Sequence, residues 1–250
     1  MGYFKVLKIS VLLLIFAAIF TTKPMIIGHR GVKGHVAENT MASIEKALEF
    51  GVDGIEIDVF RIKSGEIVVF HDEKLRRLTG ANGMIEDQTL EQVRKLRVKG
   101  RYPIPTLEEV LQRLDGKVLL NIELKGEGTA GPVFDLLTAF YRQSNWSRDK
   151  ILISSFNWKE LDTYRALDPE MAIGVLTEND LGVAIEKGKT LGALSINADH
   201  HLLNEQSVKQ IREAGLQVWC WTANRLPDLE RMFELEVDAI ITDYPDRVMD

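Results

Sequence analysis

Two short segments of the sequence place acidic residues at alternate positions. Glu56 and Asp58 stand in Gly54-Ile55-Glu56-Ile57-Asp58-Val59, and Glu123 stands with Asn121 and Lys125 in Leu120-Asn121-Ile122-Glu123-Leu124-Lys125. In a β-strand, alternation gathers the polar residues on one face and the aliphatic residues on the other. Three carboxylates at close quarters, away from water, repel one another unless a cation or protons compensate. An all-oxygen set suits one hard divalent cation, Mg2+ or Ca2+, rather than zinc, and leaves coordination positions for phosphate oxygens. Glu56, Asp58 and Glu123 are therefore the expected metal ligands. Surface ion pairing would account for a lone Glu-x-Asp, but the same pattern on a second strand favours convergence on a shared ion.

His29-Arg30-Gly31 closes one apolar run and His71-Asp72 closes another. Imidazole titrates at about pH 6.5, so two of them can serve as base and acid on the two oxygens of a phosphodiester near neutrality. His29 and His71 are the expected catalytic pair; which is acid and which is base stays open. Arg30 and Lys125 bring fixed positive charge beside the carboxylates, and the guanidinium fork matches phosphate oxygens. Both are expected to bind substrate, although neutralising Glu56 or Asp58 is a competing role. Trp219 and Trp221 share a strand face and could pack in the core or wall a small glycerol-sized pocket. His35, His200 and His201 read as hydrogen-bonded structural groups.

These side chains need a scaffold that brings strand ends together. From Met25 onward, short β-branched runs alternate with segments of helical period, as in parallel strands joined by crossover helices. Strand candidates centre on Ile27, Ile57, Val69, Ile122, Ile153, Ile173, Ile196, Val218 and Ile240, one more than a closed barrel of eight requires. The Ile57 and Val69 runs are separated only by Lys63-Ser64-Gly65-Glu66. A parallel crossover needs about a dozen residues, so these two form an antiparallel hairpin. The fold expected is thus an α/β, TIM-type (β/α)8 barrel with a small insertion after a β-hairpin on the second strand. Helices are expected at Met41 to Phe50, Trp158 to Leu167, Glu205 to Ala214 and Pro227 to Leu235. The insertion is placed at about 72–116 over one mouth of the barrel, with helical stretches near Leu90 to Leu96 and Leu107 to Leu114. A doubly wound open sheet is disfavoured because no glycine-rich nucleotide turn follows the first strand.

The formal net charge of −6 argues against a broad electrostatic grip on nucleic acid, leaving room for a small local basic pocket, so no nucleic-acid partner is expected. The single cysteine, Cys220, rules out an internal disulfide. At the start, Lys5 and Lys8 precede the apolar run Val11 to Phe20. Residues 1–23 therefore read as a signal peptide or an N-terminal membrane anchor, ahead of one barrel domain over 24–250. On that reading the protein is membrane-anchored or exported rather than cytoplasmic. A buried N-terminal helix is the third possibility.

Taken in order, these residues resemble the glycerophosphodiester phosphodiesterase family. The likeness runs through Gly28-His29-Arg30-Gly31, Glu38-Asn39-Thr40, the Glu56 and Asp58 strand, Val69-Phe70-His71-Asp72, Pro105-Thr106-Leu107-Glu108-Glu109-Val110 and the Glu123 strand. It continues in Ser154-Ser155-Phe156, Trp221-Thr222-Ala223-Asn224 and Thr242-Asp243-Tyr244-Pro245. The resemblance implies an α/β barrel with a small insertion that releases sn-glycerol 3-phosphate and an alcohol from a glycerophosphodiester. It makes His29 and His71 the acid/base pair, Glu56, Asp58 and Glu123 the metal ligands, Arg30 and Lys125 the phosphate contacts, and Trp221 a substrate-side residue. Ala37 departs from the family's usual proline before Glu-Asn-Thr and loosens that turn without removing a catalytic group. Two alternatives accompany this reading: a lysophospholipase D acting on membrane lysophospholipids, and an inactive phosphodiester-binding protein.

Overall fold

The structure, a computed structural model, describes residues 23–248. Nine strands follow in order: β1 (Met25–Gly28), β2 (Gly54–Arg61), β3 (Ile67–Val69), β4 (Leu119–Leu124), β5 (Ile151–Ser155), β6 (Ile173–Thr177), β7 (Ser195–Asp199), β8 (Gln217–Trp221) and β9 (Ala239–Thr242). Eight of them are parallel neighbours, and β1 pairs with both β9 and β2, so the sheet closes. The extra strand, β3, runs antiparallel to β2 outside the ring, with Val59 opposite Val69. The expected TIM-type barrel is borne out, including the hairpin on its second strand.

The helices among the described residues are α1 (Met41–Phe50), α2 (Arg76–Thr79), α3 (Leu90–Val93), α4 (Leu107–Leu114), α5 (Ala130–Gln143), α6 (Trp158–Leu167), α7 (Leu181–Leu191), α8 (Glu205–Glu213) and α9 (Leu226–Glu234), and all but α2 and α3 pack on the outside of the barrel. Local sequence explains several of their starts. The Thr40 hydroxyl accepts from the Ser43 amide ahead of α1, and Thr106 with Glu109 forms a reciprocal capping box on α4. Ile55, Ile57 and Val59 of β2 and Leu120, Ile122 and Leu124 of β4 face this helical layer and are buried in its core. The opposite strand faces point into the lumen, where Ile27, Leu152, Trp219 and Ile241 pack together. Trp219 is completely buried there, the packing role expected for it.

The long connection between β3 and β4 has two parts. Leu107, Val110, Leu111 and Leu114 of α4 are buried in the core between sheet and helices. The stretch before α4, carrying α2 and α3, has a core of its own in which Phe60, Phe70, Leu75, Leu78, Ile85 and Val93 meet. Phe60 lies on the same face of β2 as Glu56 and Asp58, so this second core sits directly beyond the polar mouth.

The expected membrane-anchored or exported location is corrected by the helices. No helix among the described residues is long and apolar enough to cross a membrane. The longest, α5, has 14 residues and spans about 21 Å at 1.5 Å per residue, against a hydrocarbon core of about 30 Å. The run Val11 to Phe20, on which the expectation rested, lies outside the described residues.

Candidate active site

Glu56 and Asp58 leave β2 toward the lumen, and Glu123 leaves β4 beside them, in a register that pairs Asp58 with Glu123 directly. One oxygen from each of the three carboxylates lies within 4.8 Å of the others, and all three residues are buried. Partners meet only part of their hydrogen-bonding capacity. Glu56 Oε2 accepts from the Arg30 amide at 2.9 Å, Asp58 Oδ2 from Asn39 Nδ2 at 2.8 Å, and Glu123 Oε1 from Lys125 Nζ at 2.8 Å. Glu56 Oε1 and Asp58 Oδ1 are buried with no hydrogen-bond partner among the described residues. Such orphans are costly, and a cation seated among the three carboxylates would satisfy both. The residues present therefore fit a hard divalent ion.

The same crowding distorts their proton affinities. Burial, reinforced by the negative charges of Asp58 and Glu123, raises Glu56 well above the usual carboxylate range. Burial and Asp58 push Glu123 up to about 7, against the opposing pull of Lys125. Burial acts to raise Asp58 too, yet Arg30, His71 and Lys125 together hold it below its ordinary value.

Arg30 reaches this cluster through an unusual turn. Its φ is 50°, and the following Gly31 has φ 83°. A side chain at Gly31 would collide with Ser43, whose Oγ instead accepts from the Val32 amide at 2.8 Å. The turn aims the Arg30 amide at Glu56 and sends its guanidinium past Asp58, with Nε 3.2 Å from Asp58 Oδ2. Arg30 Nη1 donates to Glu38 Oε1 at 2.6 Å, and Nε donates to His29 Nε2 at 3.2 Å.

Each histidine is held by an aspartate at Nδ1. His29 Nδ1 lies 2.6 Å from Asp243 Oδ1, and His71 Nδ1 lies 2.7 Å from Asp72 Oδ1. That arrangement places the ring proton on Nδ1 and turns Nε2 toward the carboxylates. His29 Nε2 is 3.9 Å from Glu56 Oε2, and His71 Nε2 is 4.0 Å from Asp58 Oδ1. Burial is the largest influence on both rings and lowers their proton affinity. His29, Arg30, Glu56, His71, Glu123, Lys125 and Trp221 line one cleft of about 520 Å³, with Asp58 fully buried beside it. Trp221 stands edge to face with Phe156, their centroids 5.3 Å apart, and its indole donates to the Asn197 carbonyl at 2.9 Å.

Residues 29–247 match the profile of the Glycerophosphoryl diester phosphodiesterase family. The chain belongs to that family. A glycerophosphodiester phosphodiesterase of Caldanaerobacter subterraneus is 34% identical over 236 residues, covering 91% of this chain and 97% of its own. One from Bacillus altitudinis is 32% identical, covering 90% and 96%. Among solved structures, an Oleispira antarctica phosphodiesterase in complex with the product sn-glycerol-3-phosphate superposes with a TM-score of 0.82 at 31% identity, covering 90% of this chain and 95% of that one. The Thermotoga maritima glycerophosphodiester phosphodiesterase gives 0.75 at 27% identity, covering 90% and 97%. The resemblance read from the sequence is thus borne out, and the protein is an enzyme of this class.

Four polar residues of the enzyme's site had no role assigned from sequence. Asp243 and Asp72 orient the histidines, Asn39 holds Asp58, and Glu38 holds Arg30. All four stand in segments that carry the family likeness, and the adjacency His71-Asp72 was the available signal for one of them. The histidines set aside as structural lie elsewhere. His35 pairs with Asp246 at 2.7 Å, and His200 is buried against Arg231.

Proposed function

We propose that the enzyme hydrolyses a glycerophosphodiester to sn-glycerol 3-phosphate and an alcohol, with His29 and His71 as its acid/base pair. The observation that carries this reading is the facing of two aspartate-held imidazoles toward a buried carboxylate trio. One histidine takes a proton from the attacking oxygen, and the other gives a proton to the departing alkoxide. Arg30 and Lys125 contact the phosphate and oppose its charge in the cleft. Trp221, fixed by its bond to Asn197, offers an apolar wall for the glycerol carbons alongside Phe156.

Glu56, Asp58 and Glu123 would hold one Mg2+ or Ca2+ ion. Bound there, the ion would neutralise phosphate oxygens and polarise the phosphorus centre. The product bound to the Oleispira antarctica relative supports the choice of substrate class.

The test is a panel of glycerophosphodiesters and lysophosphatidylcholine, supplied to the purified protein with Mg2+, with Ca2+ or with chelator. The expected result is sn-glycerol 3-phosphate released from glycerophosphodiesters only when metal is present. Release of phosphocholine from glycerophosphocholine, or undiminished turnover in chelator, would overturn the reading. Faster turnover of lysophosphatidylcholine would move the enzyme to lysophospholipids. A cyclic phosphate trapped in a single turnover would assign the attack to the substrate's own 2-hydroxyl rather than to water.

A further inference from the structure

Arg77, in α2 of the segment beyond the mouth, uses its whole guanidinium on two carboxylates. Nε and Nη2 donate to Asp72 at 2.5 and 2.7 Å, while Nη1 and Nη2 donate to Glu38 at 2.9 and 2.8 Å. Asp72 in turn holds His71 Nδ1, and Glu38 holds Arg30 Nη1. The result is a continuous chain His71, Asp72, Arg77, Glu38, Arg30. Both ends line the cleft, whereas Arg77 lines a separate groove of about 650 Å³ that shares His71 and Lys125 with it.

The two histidines differ in how their aspartates are supported. Asp243 is fixed within the barrel, where Asn224 Nδ2 donates to its Oδ2 at 2.9 Å and Asn224 Oδ1 accepts from its amide at 2.9 Å. Asp72 follows the three-residue strand β3, outside the ring, and its carboxylate partners besides His71 are the donors of Arg77. The His71 side chain is also more open, 28% exposed against 11% for His29. A half-exposed ion pair by itself adds little to stability. A planar fork that fixes two acids at once is instead suited to holding geometry.

We propose that Arg77 is a positioning residue for the hydrolysis, bracing the His71 imidazole and the Arg30 guanidinium in register with the carboxylate trio. The segment beyond the mouth thereby serves the chemistry without touching the phosphate. This rests on the acid/base reading of His71 given above.

The experiment compares Arg77→Ala, Arg77→Lys, Asp72→Asn and the Arg77→Ala/Asp72→Asn double variant by steady-state kinetics on a glycerophosphodiester, with melting temperatures measured in parallel. Arg76→Ala is the control, because the neighbouring Arg76 guanidinium donates to Asn82 Oδ1 at 3.1 Å and takes no part in the chain from His71 to Arg30. Arg77→Ala should lower kcat by about ten- to a hundredfold with little change in KM, as expected when a reacting group loses its alignment. Lysine, lacking the fork, should restore little, whereas added guanidinium ion should recover part of the Arg77→Ala rate and leave the parent unaffected. The double variant should lose less than the product of the two single losses, because both changes loosen His71, with any loss beyond Asp72→Asn alone coming from the Glu38–Arg30 arm. A kcat within twofold of the parent in Arg77→Ala, or additive losses without guanidinium rescue, would overturn the proposal. Should Arg77→Ala fail to fold, Arg77→Lys decides, with full kcat overturning the brace. His71→Ala separates the two ideas: full activity there overturns the acid/base reading, while loss there with full activity in Arg77→Ala overturns the brace alone.

Discussion

His29 and Asp243 stand 214 positions apart in the chain and 2.6 Å apart in the barrel, Nδ1 against Oδ1. They meet because β1 and β9 are hydrogen-bonded neighbours at the closure of the sheet, with Gly28 beside Thr242. His29 and Asp243 each follow directly from that pair. The Asp243 carboxylate is held below its ordinary range, burial being outweighed by the His29 hydrogen bond, so it stays charged at neutral pH.

An uncharged amide at 243 would no longer fix the Nδ1 tautomer of His29. With His29 in the proposed acid/base role, Asp243→Asn should reduce kcat by about two to four orders of magnitude with a small change in KM. His29→Ala should cost at least as much. Near-parent kcat in Asp243→Asn, measured on folded protein, would remove the aspartate from the mechanism.

The carboxylate trio predicts a linkage between metal and protons. Burial and mutual repulsion raise Glu56 and Glu123, so protons occupy the site near neutrality without a cation, and a cation must expel them. Adding Ca2+ or Mg2+ in weak buffer at pH 6.5 should release protons and raise the melting temperature, since the ion binds the folded state. Glu123→Gln should diminish both signals. A melting temperature indifferent to millimolar metal and to chelator would count against the site.

Acid should loosen the bracing around Arg77. Burial works to raise Glu38 and Asp72, yet the hydrogen bonds from Arg77, joined by Arg30 at Glu38 and His71 at Asp72, hold each at about 2. A folded-state value below the unfolded one means stability that is fully present above about pH 5 and lost as pH falls toward 2. For Glu38 this amounts to on the order of 2 kcal/mol after allowance for solvent screening. Urea midpoints between pH 6 and pH 2.5 should therefore fall, and Arg77→Met should flatten that curve while lowering its upper end. Parallel curves for the two proteins would show that Arg77 does not hold these carboxylates down.

Gly31 tests the turn that delivers Arg30. Alanine there meets a left-handed backbone, costing about 1–2 kcal/mol, and also a collision with Ser43. Gly31→Ala should lower the melting temperature and lower kcat together, because the Arg30 amide and guanidinium are aimed by the same turn. Unchanged melting and unchanged kcat would show that the backbone adapts at no cost.

The barrel and the polar strand faces are legible in local sequence. Period-two alternation in β2 and β4 assigns Glu56, Asp58 and Glu123 to one side and Ile55, Ile57 and Ile122 to the other, and the short link between β2 and β3 permits only a hairpin. Those are local consequences of pleat and chain length, so they need no knowledge of distant partners. What completes the site comes from contacts between segments far apart in the chain. The closing of β9 onto β1 brings Asp243 to His29, the segment after Arg30 returns Asn39 to Asp58 and Glu38 to the Arg30 guanidinium, and α2 carries Arg77 between Asp72 and Glu38. Strand periodicity is blind to each of these, because it reports which face a residue occupies and not which remote segment the fold sets against it.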